Sequence, residues 1–352
     1  MPERDVIGWD IGGAHVKAAR LQGECVIDAA QWPCPLWQGL DQLERVLSLA
    51  ASRWPDLAAQ RHAVTMTGEM VDLFAHREDG VQRIAALLDR ALPAPRFFAG
   101  DASWPAAHEA AALWESIASA NWLATARHAA RAMPAREGLL VDIGSTTTDL
   151  IALRRGHVVT ASRSDAQRLQ TGELVYHGVV RTPLCALARR IAWKGALLNV
   201  MNEFFASTAD VYRLTGELDP AHDQHPSADN APKDERHSRA RLARMVGLDE
   251  RDGSAAQWLD FARAWREAQL AELRSQVERV AALHDLAADA TVVAAGCGAF
   301  LVPELLRPGW STAAYGREVA RVAPGASVDL AGWVQVGAPA VAVASLFAEE
   351  CA

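Results

Sequence analysis

Asp10, Gly12, Gly13 and Lys17 lie in the stretch DIGGAHVKAARL, and Asp142, Gly144, Ser145, Thr146, Thr147 and Asp149 lie in DIGSTTTDLIAL. The two stretches repeat each other at a constant offset: Asp10 matches Asp142, Gly12 matches Gly144 and Lys17 matches Asp149. A carboxylate followed by a glycine turn offers two kinds of chemistry. The N–H groups of the turn can hold the oxygens of a poly-anion, and the carboxylate can hold a divalent metal. Mg2+ (or Mn2+) is the expected ion, because Mg2+ takes oxygen ligands, keeps its waters and bridges phosphates. One or two carboxylates from Asp10, Asp142 and Asp149 then suffice. Ser145, Thr146 and Thr147 add hydroxyl donors, although strand alternation keeps them from all facing one way. Lys17 either neutralises a diphosphate or is a solvated strand residue. Asp149 stands where the first copy has lysine, and its alternative role is to pair with a nearby arginine.

Two further groups carry candidate chemistry. The tripeptide Thr-Gly-Glu occurs at 67–69, 171–173 and 215–217. The first copy follows the apolar run HAVTM, so Glu69 or Asp72 can reach a site from a strand end and accept a proton from a nucleophile. A helix cap is the competing reading. Gly296 and Gly298 flank Cys297 in VVAAGCGAF, a third glycine-rich strand-turn. No G-x-x-x-x-G-K-[ST] occurs, so the phosphates are expected to be held by paired hairpins and not by a Walker loop. His222, Asp223 and His225 could form a loose metal site, but a solvated loop is the simpler reading.

These residues need strands to hold them. Strands are expected at 5–9, 15–21, 24–31, 62–67 and 96–100, with helices at 39–53 and 80–92 and a helical, alanine-rich stretch at 106–133. The pattern restarts with strands at 138–143, 147–153 and 157–162. A long helix at 255–285, a strand at 291–296, a helix-like AFLVPELL and a closing helix at 337–350 follow. Three strands and then alternating helices and strands predict an α/β fold with mixed sheets. Two domains are expected: 1–135, and 136–352 with an insertion at about 164–255. Within that insertion, 219–240 reads as a surface loop or disordered segment, and removing 222–236 is expected to leave stability little changed.

Composition narrows the function classes. The chain has 352 residues, half of them hydrophobic, and a formal charge of −8. No basic run stands out, which argues against nucleic acid and anionic membranes as partners. No signal peptide and no span of about 18 apolar residues is read. The five scattered cysteines form no C-x-x-C pair, so reduced thiols and a cytoplasmic location are expected.

With the hairpins placed, DIGGAHVKAARL, VDIGSTTTDLIAL and VVAAGCGAFLVPEL resemble the two phosphate segments and the nucleotide-base segment of the acetate and sugar kinase, Hsp70 and actin superfamily. More narrowly, TMTGEMVDLF, NWLATA, TGELVYHGVVRTP, FFASTADVYRLTGEL and GAPAVAVASL are similar to hydantoinase/oxoprolinase-related proteins linked to tetrahydromethanopterin-dependent one-carbon metabolism. The resemblance implies two ribonuclease-H-like domains with mixed sheets flanking a central cleft. It implies a transferase of methanofuran biosynthesis, or of methylofuran biosynthesis in methylotrophs. That enzyme condenses an aminomethylfuran-methyl diphosphate with a phenolic acceptor derived from tyramine or tyrosine, and releases diphosphate.

On that reading Asp10, Gly12, Gly13, Lys17, Gly144, Ser145, Thr146 and Thr147 hold the diphosphate, with Gly296 and Gly298 in the third segment. Glu69 or Asp72 is the base. The insertion forms the acceptor pocket, with Glu173, Tyr176, Arg181, Asn202 and Tyr212 as candidates. The assembly it admits is a homodimer. Cys297 between the two glycines departs from the nucleotide-binding pattern. An ATP-dependent kinase or ATPase of the same fold is the alternative, ahead of a non-catalytic sensor and of hydantoin or oxoproline ring opening.

Overall fold

The computed structural model describes residues 5–101 and 103–351. The chain forms two compact units. One runs to Gly138 and includes Leu153–Asp165 and the stretch from Ala313 onward; the other comprises Leu139–Ala152 and Ala166–Thr312.

The first sheet is built from β1 (Val6–Ile11), β2 (His15–Gln22), β3 (Cys25–Pro33), β4 (Arg61–Met66) and β5 (Arg96–Phe97), in the order β3-β2-β1-β4-β5. β1 pairs antiparallel with β2 and parallel with β4, so the sheet is mixed. Alternation in VIGWDI sends Ile7, Trp9 and Ile11 into a core. That core is shared with Leu43 and Val46 of α1 (Asp41–Arg53) and Val81 and Ile84 of α2 (Arg77–Ala91). Each such burial contributes about 1.5–3 kcal/mol.

The alanine-rich stretch expected to be helical over 106–133 is broken. A short α3 (Trp114–Ile117) precedes α4 (Asn121–Ala132). Between them Ala118 bridges Met66 at the end of β4, and Ser119 takes a positive φ of 50°. Tertiary pairing overrides helix propensity here, and the break puts a serine beside the end of β4.

The second sheet contains β6 (Glu137–Ile143), β7 (Thr148–Arg154) and β8 (His157–Val158), with β9 (Leu174–Val175) also on β7. After the two-stranded β10 (Arg190–Trp193) and β11 (Ala196–Asn199), it is completed by β12 (Thr291–Ala295) and β13 (Ser311–Ala314). Its order, β13-β12-β6-β7-β8, repeats the first sheet strand for strand. The fold is therefore the expected mixed α/β architecture, with two ribonuclease-H-like sheets.

The insertion has a small core of its own. α5 (Asp165–Thr171), α6 (Leu184–Leu187), α7 (Thr208–Thr215) and α8 (Glu235–Arg244) precede the long α9 (Ala255–Leu283). Ile191, Val211, Leu242, Phe261 and Trp265 cluster, and Trp193 stacks on Trp258 with centroids 4.2 Å apart.

The segment expected to be a loop or disordered is a tied-down loop that leads into α8. Asp223 is bound by Arg213 at 2.5 Å and Lys233 at 3.2 Å, and Asp229 by Arg241 and Arg244, both at 3.0 Å. Asp234 caps α8 by accepting from the His237 N–H. Its polarity is spent on ion pairs, which composition alone does not reveal.

The chain then forms α10 (Val328–Val336) and α11 (Ala338–Glu350). Where the sequence suggests a second domain running to residue 352, α11 instead lies on β1, and α10 reaches β3. A Cβ on Gly8 would sit 2.0 Å from the Ala340 carbonyl oxygen, so β1 needs glycine there. Among the described residues no single helix is long and apolar enough to cross a membrane. The apolar pair α10 and α11 is bent by 89°.

Candidate functional site

The two glycine turns fold alike. Gly12 N–H donates to the His15 carbonyl at 3.0 Å, and Gly144 N–H donates to the matching Thr147 carbonyl at 2.8 Å. The Ile11 carbonyl accepts from Thr67 at 2.9 Å, and the matching Ile143 carbonyl accepts from Gly298 at 2.8 Å. A following segment then takes the carbonyls of each turn. In the first turn Leu36 N–H donates to Gly13; in the second, Val179 donates to Gly144, and Val180 and Arg181 donate to Ser145. With the carbonyls engaged from behind, the N–H groups of Gly13, Ser145 and Thr146 enter none of the described backbone hydrogen bonds. This is the arrangement an anion-binding turn requires.

In the first unit, Asp10 lies at the end of β1, 3% exposed, with Lys17 opposite it on β2 and its Nζ 3.5 Å away. Burial raises the Asp10 pKa, and Lys17 and Asn121 oppose that rise. Asp10 Oδ1 has no hydrogen-bond partner. Asn121, the first residue of α4, opens the NWLATA motif but carries no assigned role from sequence. Lys17 is half-buried and ion-paired, which is neither of the two roles foreseen for it in full.

Glu69 follows the end of β4 and is 1% exposed. Its Oε1 accepts from Ser119 Oγ at 2.7 Å and lies 3.6 Å from Arg77, while Oε2 has no partner. Burial pushes its pKa up to about 7, against the hydrogen bond from Ser119. Asp72, its competitor for the role of base, is exposed. Ser119 and Arg77 are invisible as site residues in the sequence, since only the break before α4 brings the serine here.

In the second unit, Asp142 is buried at the end of β6. Gly296, with φ of 81°, leaves room for it: a Cβ there would lie 2.5 Å from Asp142 Oδ1 and 2.2 Å from the Ile143 carbonyl. Gly298 packs against Ile143, so both glycines shape the strand end. Ser145 Oγ is buried without a partner. Asp149 differs from the metal-ligand expectation: it is ion-paired with the buried Arg168, the alternative foreseen for it. Cys297 is half-buried, and among the described residues no three His, Cys, Asp or Glu side chains converge, His222, Asp223 and His225 included.

The five acceptor candidates scatter. Glu173 is fully buried and bound by His284 at 2.9 Å and Thr171 at 2.8 Å. Tyr212 is fully buried, its hydroxyl donates to Gln269 at 2.8 Å, and burial raises its pKa. Gln269 in turn donates to the Gly178 carbonyl at 3.0 Å. Both residues therefore serve internal contacts and present no surface to a ligand. Tyr176 and Asn202 are exposed, and Arg181 reaches Thr146.

Gly178 is the support that sequence reading missed. A Cβ there would lie 2.4 Å from Ser145 C and Thr146 N. Gly178→Ala is expected to push the turn outward, costing about 1–3 kcal/mol of stability and weakening anion binding at this turn. Urea unfolding and diphosphate titration check this, and unchanged binding would separate Gly178 from the turn.

The hydantoinase/oxoprolinase family signature matches residues 60–318. The (4-{4-[2-(gamma-L-glutamylamino)ethyl]phenoxymethyl}furan-2-yl)methanamine synthase of Methanocaldococcus jannaschii is 29% identical over 282 residues, spanning 80% of this chain and 83% of that protein. The synthase of the same name from Methanococcus vannielii is 29% identical over 168 residues, spanning 48% and 74%. Among solved structures, nucleotide-free acetone carboxylase, from work titled on ATP-dependent acetone carboxylation, aligns with a TM-score of 0.52. It is 11% identical and covers 97% of this chain and 70% of that one, a likeness of fold. With its two glycine turns on two repeated sheets and this match over most of its length, the chain belongs to the hydantoinase/oxoprolinase family.

Proposed function

We infer that the chain is a synthase that joins an aminomethylfuran-methyl diphosphate to the phenol of a glutamylated tyramine, releasing diphosphate. The observation that carries this reading is the 29% identity to a relative whose name describes such a phenoxymethyl-furan product, over 80% of this chain. To make that ether, the phenol oxygen bonds to the furan-methyl carbon while the carbon–oxygen bond to diphosphate breaks. The bonding pair leaves with diphosphate, and the phenol proton goes to a base.

Each turn, taken within its own unit, offers N–H donors to the oxygens of a diphosphate. Gly12 and Gly13 shape one, and Gly144 with Ser145, Thr146 and Thr147 the other; the partnerless Ser145 hydroxyl is a further donor. Glu69 is the base: a carboxyl with a pKa of about 7 accepts a proton better than an ordinary carboxylate, yet is ionised just above neutrality. The buried Asp10 of the first unit, with an oxygen lacking any partner, and the buried Asp142 of the second are each a hard oxygen donor of the kind that suits Mg2+ (or Mn2+). When bound, that ion supplies positive charge to phosphate oxygens. Lys17, with its Nζ 3.5 Å from Asp10, opposes the burial that raises the Asp10 pKa.

The test is thermal unfolding with Mg2+ plus diphosphate, set beside Mg2+ plus ATP or ADP. Diphosphate is expected to raise the melting temperature, since a ligand at about 100 Kd stabilises the native state by about 2.7 kcal/mol. Stabilisation by ATP or ADP well beyond diphosphate would instead support a kinase or ATPase.

A further inference from the structure

We propose that Arg181 is a ligand of the leaving diphosphate at the second glycine turn and takes no part in acceptor binding. This rests on the diphosphate reading given above. Arg181 is bound to the turn by its own backbone: its N–H donates to the Ser145 carbonyl at 2.9 Å, beside Val180 N–H at 3.1 Å. Thr182 fixes the segment from the other side, since its Oγ1 accepts from Gly178 N–H at 2.8 Å. The guanidinium then returns to the same turn, with Nη1 3.4 Å from Thr146 Oγ1. Main chain and side chain of one residue thus grip the turn whose Ser145 and Thr146 N–H groups enter none of the described backbone hydrogen bonds.

The energetics favour an anion there. Arg181 is half-buried, and burial pulls its pKa below the usual arginine value. An anion at this turn adds a charge-assisted hydrogen bond to the guanidinium. The planar fork of a guanidinium matches two phosphate oxygens at once, which an ammonium does not. As the carbon–oxygen bond breaks, negative charge grows on the diphosphate, so a cation held at this turn binds the transition state more tightly than the ground state. The first turn already has a cation of its own in Lys17, but that one faces Asp10 at 3.5 Å.

The experiment is calorimetric titration of inorganic diphosphate, with Mg2+, into the full-length wild type and its Arg181→Gln and Arg181→Lys variants, alongside steady-state kinetics. A lost charged hydrogen-bond pair predicts that Arg181→Gln weakens diphosphate about 10- to 100-fold. Arg181→Lys should restore only part of it, with kcat reduced and the acceptor KM unchanged in both. The lysine variant keeps the charge and stem, so it answers the question if the glutamine variant folds poorly. Wild-type diphosphate affinity with a raised acceptor KM would overturn this assignment alone and return Arg181 to the acceptor. Absence of diphosphate binding by the wild type itself would overturn both this inference and the function it rests on.

Discussion

Glu69→Gln is expected to lower kcat by about 10²–10⁴, the range that a positioned general base contributes. Glutamine has nearly the same shape and can still accept from Ser119, so the fold is kept while proton acceptance is lost. The pH dependence is the sharper readout. With a folded pKa of about 7, the wild-type carboxyl is protonated below neutrality, so kcat/KM rises with pH through about 7 and then levels. The variant should lack that limb.

Stability moves the other way. The fold favours the protonated form, so between the ordinary glutamate value of 4.5 and about 7 the unfolded chain ionises first and stability falls as pH rises. Above about 7 the loss is complete. Glu69→Gln should remove this slope, and it should be no less stable than wild type at alkaline pH. Near wild-type turnover with the same rising limb would move the base elsewhere.

Asp210→Ala is expected to cost about 1.5–3 kcal/mol, because it takes the carboxylate from Arg241 Nε and Nη2 and leaves that buried guanidinium only Asp229 as a carboxylate partner. Arg241 is fully buried, and its Nε and Nη2 lie 2.8 and 2.7 Å from Asp210 Oδ1. Ser238 Oγ and Arg213 Nη1 bind the same oxygen at 2.8 and 3.1 Å. Chemical denaturation measures the loss, and a change below about 1 kcal/mol, the level of a surface pair, would show that water replaces the carboxylate. Replacing Asp210 and Arg241 together by apolar residues should recover much of the stability. Removing 222–236 takes away Asp223, Asp229 and Asp234, so the segment that reads as expendable in sequence is expected to be costly to delete.

The turns were legible in the sequence because their geometry is local. A glycine after Asp-Ile, flanked by apolar runs, dictates a hairpin whatever lies far away. The repeat of DIG also announced the repeat of the sheets. What was not legible came from partners remote in the chain. Nothing near Glu173 or Tyr212 shows that His284 and Gln269 will bury and saturate them. Asp149 could be read as a metal ligand or an arginine partner, and only the placement of Arg168 in α5 separates the two. Ser119 owes its place beside Glu69 to a break in an alanine-rich stretch whose propensity favours unbroken helix. Charge-rich composition at 219–240 suggested disorder because composition does not record pairing.

The crossing of α11 over Gly8 has a consequence for how the molecule comes into being. β1 leaves the ribosome long before α11, yet the glycine notch in one is filled by the backbone of the other. The first sheet therefore cannot reach its native packing during synthesis of the first half. It must wait, with one apolar face bare, until α11 has been made. Closing so distant a contact is entropically slow. The halves that the sequence repeat suggests as building blocks are thus not independent in assembly: the first is finished only after the second has been made.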